Sequence, residues 1–194
     1  ALIGNQNSGK TTLFNCLTGM NAKIGNWPGV TIEKKTGIIK GTKHEIIDLP
    51  GIYSLSPYSI EEEVSRKFIF EEKPNVIINI VDSTTLERSL YLTTQLLELD
   101  LKVIVALNMT DILEKKGIAI DEKKLEEELG VKVIRISALK EIGISELVKE
   151  IVREKALKHL NDEVPHGIFV ETEKVKFRKT KEKETICDIE ATLY

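Results

Sequence analysis

The run Gly4-Asn5-Gln6-Asn7-Ser8-Gly9-Lys10-Thr11 sets two glycines at the ends of a short loop and follows the second with a lysine and a hydroxyl. That spacing makes a phosphate cradle. Gly4 and Gly9 permit backbone angles that a side chain forbids. The N–H groups across Asn5, Asn7, Ser8, Gly9, Lys10, Thr11 and Thr12 then turn inward on phosphate oxygens. A helix that begins at the end of the loop adds partial positive charge. Lys10 reaches the outer phosphates, and the Thr11 hydroxyl is placed to ligate Mg²⁺. A glycine-rich turn that matches by accident is the alternative. The apolar Ala1 to Ile3 before the loop and the amphipathic Lys10 to Leu17 after it argue against that.

Two further stretches complete a phosphate and metal site. Thr31 ends the loop Gly25-Asn26-Trp27-Pro28-Gly29-Val30-Thr31. A threonine there can close over Mg²⁺ when a γ-phosphate is present and release it on hydrolysis. Thr36 is a weaker competitor for the role. Asp48-Leu49-Pro50-Gly51 follows an apolar strand pattern. Asp48 is expected to hold Mg²⁺ through water, and the Gly51 N–H to sense the γ-phosphate. The D-x-x-G pattern is weak alone and gains force from its place after a phosphate loop.

A third pair of loops reads a base. Asn108-Met109-Thr110-Asp111 follows the apolar run Val103 to Leu107, and Ser137-Ala138-Leu139 follows Val131 to Ile136. An ionised carboxylate only accepts hydrogen bonds. Asp111 can therefore take the N1–H and the exocyclic amine of guanine. Adenine offers neither arrangement and leaves the carboxylate unpaired. The Ala138 N–H could donate to the guanine O6. Capping of the next helix by Asn108 and Asp111 is the plainer reading of each motif singly.

The elements that must position these loops alternate between strand and helix. Val76 to Val81 and Val103 to Leu107 are continuous apolar runs, the mark of parallel strands buried on both faces. Helical spacing covers Lys10 to Leu17, Ile60 to Glu72, Leu86 to Leu99, Asp121 to Leu129 and Ile144 to Leu160. Thr36 to Lys40 and His44 to Ile47 flank Gly41-Thr42 as a hairpin. Met20 to Glu33 and Leu49 to Ser59 read as loops. The pattern predicts an α/β fold of the P-loop NTPase kind, a doubly wound, mostly parallel sheet with one antiparallel edge strand. Its ligand belongs at the carboxyl ends of the strands. After Asn161 the pattern changes to two alternating strands, Gly167 to Lys176 and Thr185 to Leu193.

Composition narrows the field. The 194 residues carry 28 Lys and Arg against 31 Asp and Glu, a net charge of −3, which speaks against a nucleic-acid footprint by bulk charge. Hydrophobic residues at 41% exclude a disordered chain. No apolar stretch approaches the ~20 residues of a membrane helix, and no signal peptide is expected from the opening residues. Cys16 and Cys187 match no disulfide or metal spacing, so a reducing, cytoplasmic setting is expected. His44, His159 and His166 add no ligand pattern for iron.

The five motifs in this order resemble a translation-factor-type GTPase. The stretches GNQNSGKTTLFN, GNWPGVTIEKKTG, DLPGIYSLSPYSIEEEVSRKFI, NIVDSTTLERSLYLTTQLLEL, ALNMTD and ISALK resemble more closely the cytosolic G domain of the bacterial ferrous-iron transporter FeoB, over residues 1–149. That family often has methionine where other GTPases have lysine in the guanine motif, as Met109 stands here. The resemblance implies GTP and GDP as ligands, Mg²⁺ as cofactor and a place at the cytoplasmic face of the inner membrane. It also implies a membrane permease domain, which these residues do not contain. Homo-oligomer formation is left open. Ile52 stands where many GTPases carry a water-positioning glutamine, which implies slow intrinsic hydrolysis. Asn7 matches the position that binds K⁺ in potassium-stimulated GTPases, where the cation offsets transition-state charge. Bracing of the phosphate loop is the alternative role for Asn7.

Residues 150–194 depart from that pattern. REKALKHLNDEVPHG and the ending DIEATLY resemble the linker and opening of the KH domain in the ribosome-assembly GTPase Era. The expectation is a partial helix–strand–strand appendage. A KH domain grips RNA through a GXXG loop, which does not occur in this sequence, so no competent RNA-binding loop is expected. From Lys155 onward eight Lys and Arg balance eight Asp and Glu, which leaves no basic groove. The leading expectation is thus a GTP-driven switch for iron transport. An Era-like assembly GTPase is the second, and a fragment that binds nucleotide with little turnover the third.

Overall fold

Consecutive apolar residues of the central strands point to opposite faces, which is why the runs show no alternation. Leu2, Ile78 and Ile80 pack on one face with Leu13, Phe14, Leu147 and Ile151. Ile3 and Ile77 pack on the other with Phe68, Ile69, Leu92 and Leu96. The sheet is therefore covered on both sides by helices.

The computed structural model describes residues 1–99, 101–163, 170–179 and 185–193, with side-chain surroundings given as far as Leu157. Its strands are β1 (Leu2–Gly4), β2 (Ala22–Asn26), β3 (Glu33–Ile38), β4 (Glu45–Asp48), β5 (Ile77–Asp82), β6 (Val103–Asn108) and β7 (Val133–Arg135). They form one seven-stranded sheet in the order β2-β3-β4-β1-β5-β6-β7. β1 lies parallel to β4 and β5, β5 to β6, and β6 to β7. β3 pairs antiparallel with both β4 and β2, so it alone runs against the rest.

The helices are α1 (Lys10–Thr18), α2 (Ile60–Glu72), α3 (Leu86–Leu97), α4 (Thr110–Lys115), α5 (Glu122–Leu129) and α6 (Ile144–Glu163), with a 3-10 turn at Ser83–Thr85. Local chemistry sets their ends. Gly19 stops α1 in a left-handed conformation, φ 69°, with its N–H on the Asn15 carbonyl. Ser59 and Glu62 form a reciprocal capping box that starts α2. Asp121 caps α5 and Gly130 ends it. No described helix is long and apolar enough to cross a membrane.

The expected doubly wound fold is present, with one correction. The stretch read as a loop, Met20 to Glu33, contains β2, which pairs from Ala22 opposite Gly37 to Asn26 opposite Glu33. Its outer edge faces solvent, so it needs no apolar alternation, and Gly25 and Asn26 disguise it. The strand expected from Thr36 starts earlier, at Glu33.

Two further strands, β8 (Val170–Lys179) and β9 (Thr185–Leu193), form an antiparallel hairpin with a register irregularity between Thr172 and Lys174. The expected first residues of that hairpin, 167–169, and His166 lie outside the described residues. So do the side chains of His159 and Cys187. α6 runs through residue 150 without a break.

Candidate functional site

The phosphate loop joins β1 to α1, at the carboxyl edge of the sheet. Asn7 and Gly9 both take positive φ, 63° and 90°. A Cβ on Gly9 would run into the Asn108 amide, so only glycine fits. The Ser8 hydroxyl donates to the Asn5 carbonyl at 2.8 Å and tightens the turn. Thr11 and Thr12 are exposed on the first turn of α1.

Asp48, at the end of β4, faces this loop. Lys10 Nζ donates to Asp48 Oδ1 at 2.6 Å. Burial pushes the Asp48 carboxyl above the usual carboxylate range, and the Lys10 ammonium offsets only part of that. The chain after Asp48 stays tied to the phosphate loop, because the Ile52 N–H donates to the Gly4 carbonyl at 3.1 Å. A Cβ on Gly51 would sit 3.2–3.4 Å from Gln6, so the glycine lets the two loops approach. Ile52 itself is 2% exposed and packs with Ile3, Leu49 and Phe68.

Thr31 is placed differently. It is exposed, in a turn closed by the Trp27 N–H on the Ile32 carbonyl at 2.9 Å. Among the described residues, no hydrogen bond joins it to Lys10, Thr11 or Asp48. Trp27 is buried beside Phe68, with ring centroids 5.4 Å apart at 73°, and Lys34 Nζ lies 4.7 Å from the indole centroid.

On the base side, Asn108 is 3% exposed and holds two loops at once. Its Nδ2 donates to the Ser8 carbonyl at 2.9 Å, and its Oδ1 accepts the Ala138 N–H at 2.9 Å. Met109, at φ 63°, turns the chain into α4. Asp111 on that helix accepts from Ser137 Oγ at 3.1 Å and pairs with Lys140 Nζ at 3.1 Å. The Lys140 hydrogen bond, and after it that of Ser137, holds the Asp111 carboxyl below the usual range. Leu139 is 84% exposed at the rim. The Ala138 N–H, expected at the guanine O6, is here engaged by Asn108.

The phosphate loop, Asp48 and Asp111 thus stand along one sheet edge, and Asn108 ties the phosphate loop to the loop after β7. Residues 1–151 match the family described as ferrous iron transport protein B. The chain belongs to the FeoB family. It is 52% identical over 157 residues to the Fe(2+) transporter FeoB of Legionella pneumophila (strain Paris), covering 78% of this chain and 21% of that protein. A GDP-bound mutant of the S. thermophilus FeoB G-domain shares 54% identity and a TM-score of 0.75, over 77% of this chain and 58% of that one. The FeoB G-domain from Methanococcus jannaschii shares 44% identity and a TM-score of 0.68, over 80% of this chain and 95% of that one. The described fold is that of a FeoB G domain. The chain spans about a fifth of the length of the curated FeoB relatives it matches. The family match ends at residue 151, so it lends nothing to the expected Era-like reading of residues 150–194.

Sequence reasoning missed two residues, Ser89 and Lys140, that touch the predicted ones. Asn5 Nδ2 reaches Ser89 Oγ at 3.5 Å, which links the phosphate loop to α3. Lys140 was not singled out either. It lies in the loop that the Ser137–Ile142 bridge folds back, a pairing with no sequence signal beyond Gly143.

Proposed function

We propose that this chain is the GTP-hydrolysing switch of a FeoB-type ferrous-iron transporter, acting at the cytoplasmic face of the membrane on a permease domain elsewhere in that protein. The supporting observation is the double hydrogen bond of Asn108, which makes one nucleotide pocket out of the phosphate loop and the base loop. Asp111 reads the guanine edge. Asn5, Ser8, Gly9, Lys10, Thr11 and Thr12 hold the phosphates.

Thr11, Asp48 and Thr31 offer only hard oxygen donors, and Asp48 already faces the loop beside Lys10, so this set fits Mg²⁺. When bound, Mg²⁺ neutralises charge on the β- and γ-phosphates. Thr11, Asp48 and Thr31 would hold the ion, Lys10 would contact the phosphates, and the Gly51 N–H would face the γ-phosphate. Ile52 carries no polar atom to orient water, so unaided hydrolysis is slow. Asn7 sits exposed on the crest of the loop, and its amide oxygen suits K⁺. Phosphate release from GTP, measured in KCl and in NaCl, tests this. Faster turnover in KCl that Asn7→Ala abolishes is the expected result; equal rates in the two salts would sink the K⁺ role.

Residues 1–149 form the G domain on this reading, and residues 150–194 a partial KH-like appendage. The order α6, β8, β9 supports the second assignment. An RNA-linked assembly role is the weaker function, because the family match over residues 1–151 is to ferrous iron transport protein B. Salt-dependent RNA binding by the chain would reverse that ranking.

A further inference from the structure

The guanine motif of this chain lacks the lysine that other GTPases place at Met109, yet its base pocket holds a cation. Lys140, from the loop after β7, lies 3.1 Å from Asp111 Oδ2, while Ser137 Oγ lies 3.1 Å from Oδ1. We infer that Lys140 is a positioning residue of the base pocket, one that aims the Asp111 carboxylate at the guanine edge before nucleotide arrives. The inference rests on the guanine-pocket reading above.

The two side-chain donors on the carboxylate carry it. A carboxylate offers about four lone-pair sites, two on each oxygen. Ser137 takes one on Oδ1 and Lys140 takes one on Oδ2. The backbone N–H of Asp111 also donates to its own carboxylate. Ser137 and Lys140 thus hold the two oxygens from different sides of the loop, and the acceptor capacity that remains is what guanine, with its N1–H and exocyclic amine on one edge, would use. Without Lys140, Oδ2 would exchange its fixed donor for water, and the carboxylate would have to be ordered by the nucleotide itself.

The charges around Asp111 favour the same role. On its own helix, Glu114 is turned to Arg135 of β7 at 3.0 Å, and Lys115 is the remaining charged neighbour. From the 3-10 turn packed on α4, the titratable group is Asp82, whose carboxylate caps Thr84. Lys140 is the cation that touches the carboxylate. It keeps Asp111 ionised, and only the ionised form accepts from both guanine donors. On acidification, Asp111 in a Lys140→Met variant would protonate at a higher pH, and guanine binding would fail earlier.

Calorimetric titration with GDP tests the inference on the full chain. Lys140→Met is expected to weaken GDP roughly threefold to fivefold at about pH 7, the range of a partly exposed ion pair. Lys140→Arg is expected to restore it. The loss should grow toward about pH 4.5. GDP affinity within twofold of the parent, with an unchanged pH profile, would overturn the role of Lys140 while Asp111→Asn still abolished binding. Should Asp111→Asn bind GDP as the parent does, the base-pocket reading fails first and the inference with it.

Discussion

The two halves of this site are built to different degrees. The half that holds the nucleotide is closed before any ligand arrives. Asn108 bridges the phosphate loop and the base loop, Ser8 braces its own turn, and Asp111 carries two donors. The half that would sense the γ-phosphate is open. Thr31 is exposed on a turn that Trp27 anchors from behind, and Asp48 is paired with Lys10 rather than free to hold a metal. The difference separates two free energies. On the proposed function, affinity for guanine nucleotide would draw on geometry already present, whereas hydrolysis would draw on contacts that form only with triphosphate.

Asn108→Ala should break the closed half most severely. It removes two buried hydrogen bonds and leaves the Ser8 carbonyl and the Ala138 N–H without partners, a cost of about 3 kcal/mol. GDP affinity is expected to fall on the order of a hundredfold, read by calorimetry, with the fold kept by circular dichroism. An affinity within threefold of the parent would show that the two loops are joined by something other than this side chain.

Thr31→Ala should break only the open half. GTP turnover is expected to fall about tenfold or more, as one transition-state contact to the metal is lost. GDP affinity should stay within twofold, because among the described residues no hydrogen bond joins Thr31 to the phosphate loop or to Asp48. Equal losses in both measurements would contradict the division.

The same division explains what the sequence made legible. The loops of the closed half were placed at one sheet edge from sequence, because Gly9 must take a positive φ and Asn108 and Asp111 follow an apolar strand at fixed spacing. Those demands fall on single residues at fixed spacing. The open half was read less well. β2 passed for a loop, since an exposed edge strand carries no alternation and its pairing with β3 is decided by distant residues. Lys140 escaped notice for a related reason. A lysine in a loop carries no signal until the Ser137–Ile142 bridge brings it back to Asp111. The helices were found almost to the residue where a cap marked them, as at Ser59 with Glu62 and at Gly130.

Ile52 sharpens the comparison from the core side. It stands where a catalytic glutamine is common, yet it is a core residue packed with Ile3, Leu49 and Phe68. Ile52→Gln should therefore give no gain in hydrolysis. It should lower stability by about 1–3 kcal/mol, the cost of burying an amide without partners, seen as a shift of the urea midpoint. Faster turnover in this variant would mean that residue 52 swings out to the phosphates when GTP binds.

The mildest test touches the anchor between the halves. Trp27 is the single tryptophan of the chain, so its emission reports on the turn that carries Thr31. Lys34→Met removes the cation above the indole and leaves the edge contact with Phe68 in place. The stability loss should stay below about 1 kcal/mol, as for cation–π pairs near the surface. Emission should change with GTP turnover nearly unaltered, because the burial of Trp27 against α2 holds the turn and Lys34 only covers it. A tenfold loss of turnover at unchanged GDP affinity would assign the anchoring to Lys34 instead. The open half would then be governed by a charge on β3 and would respond to ionic strength.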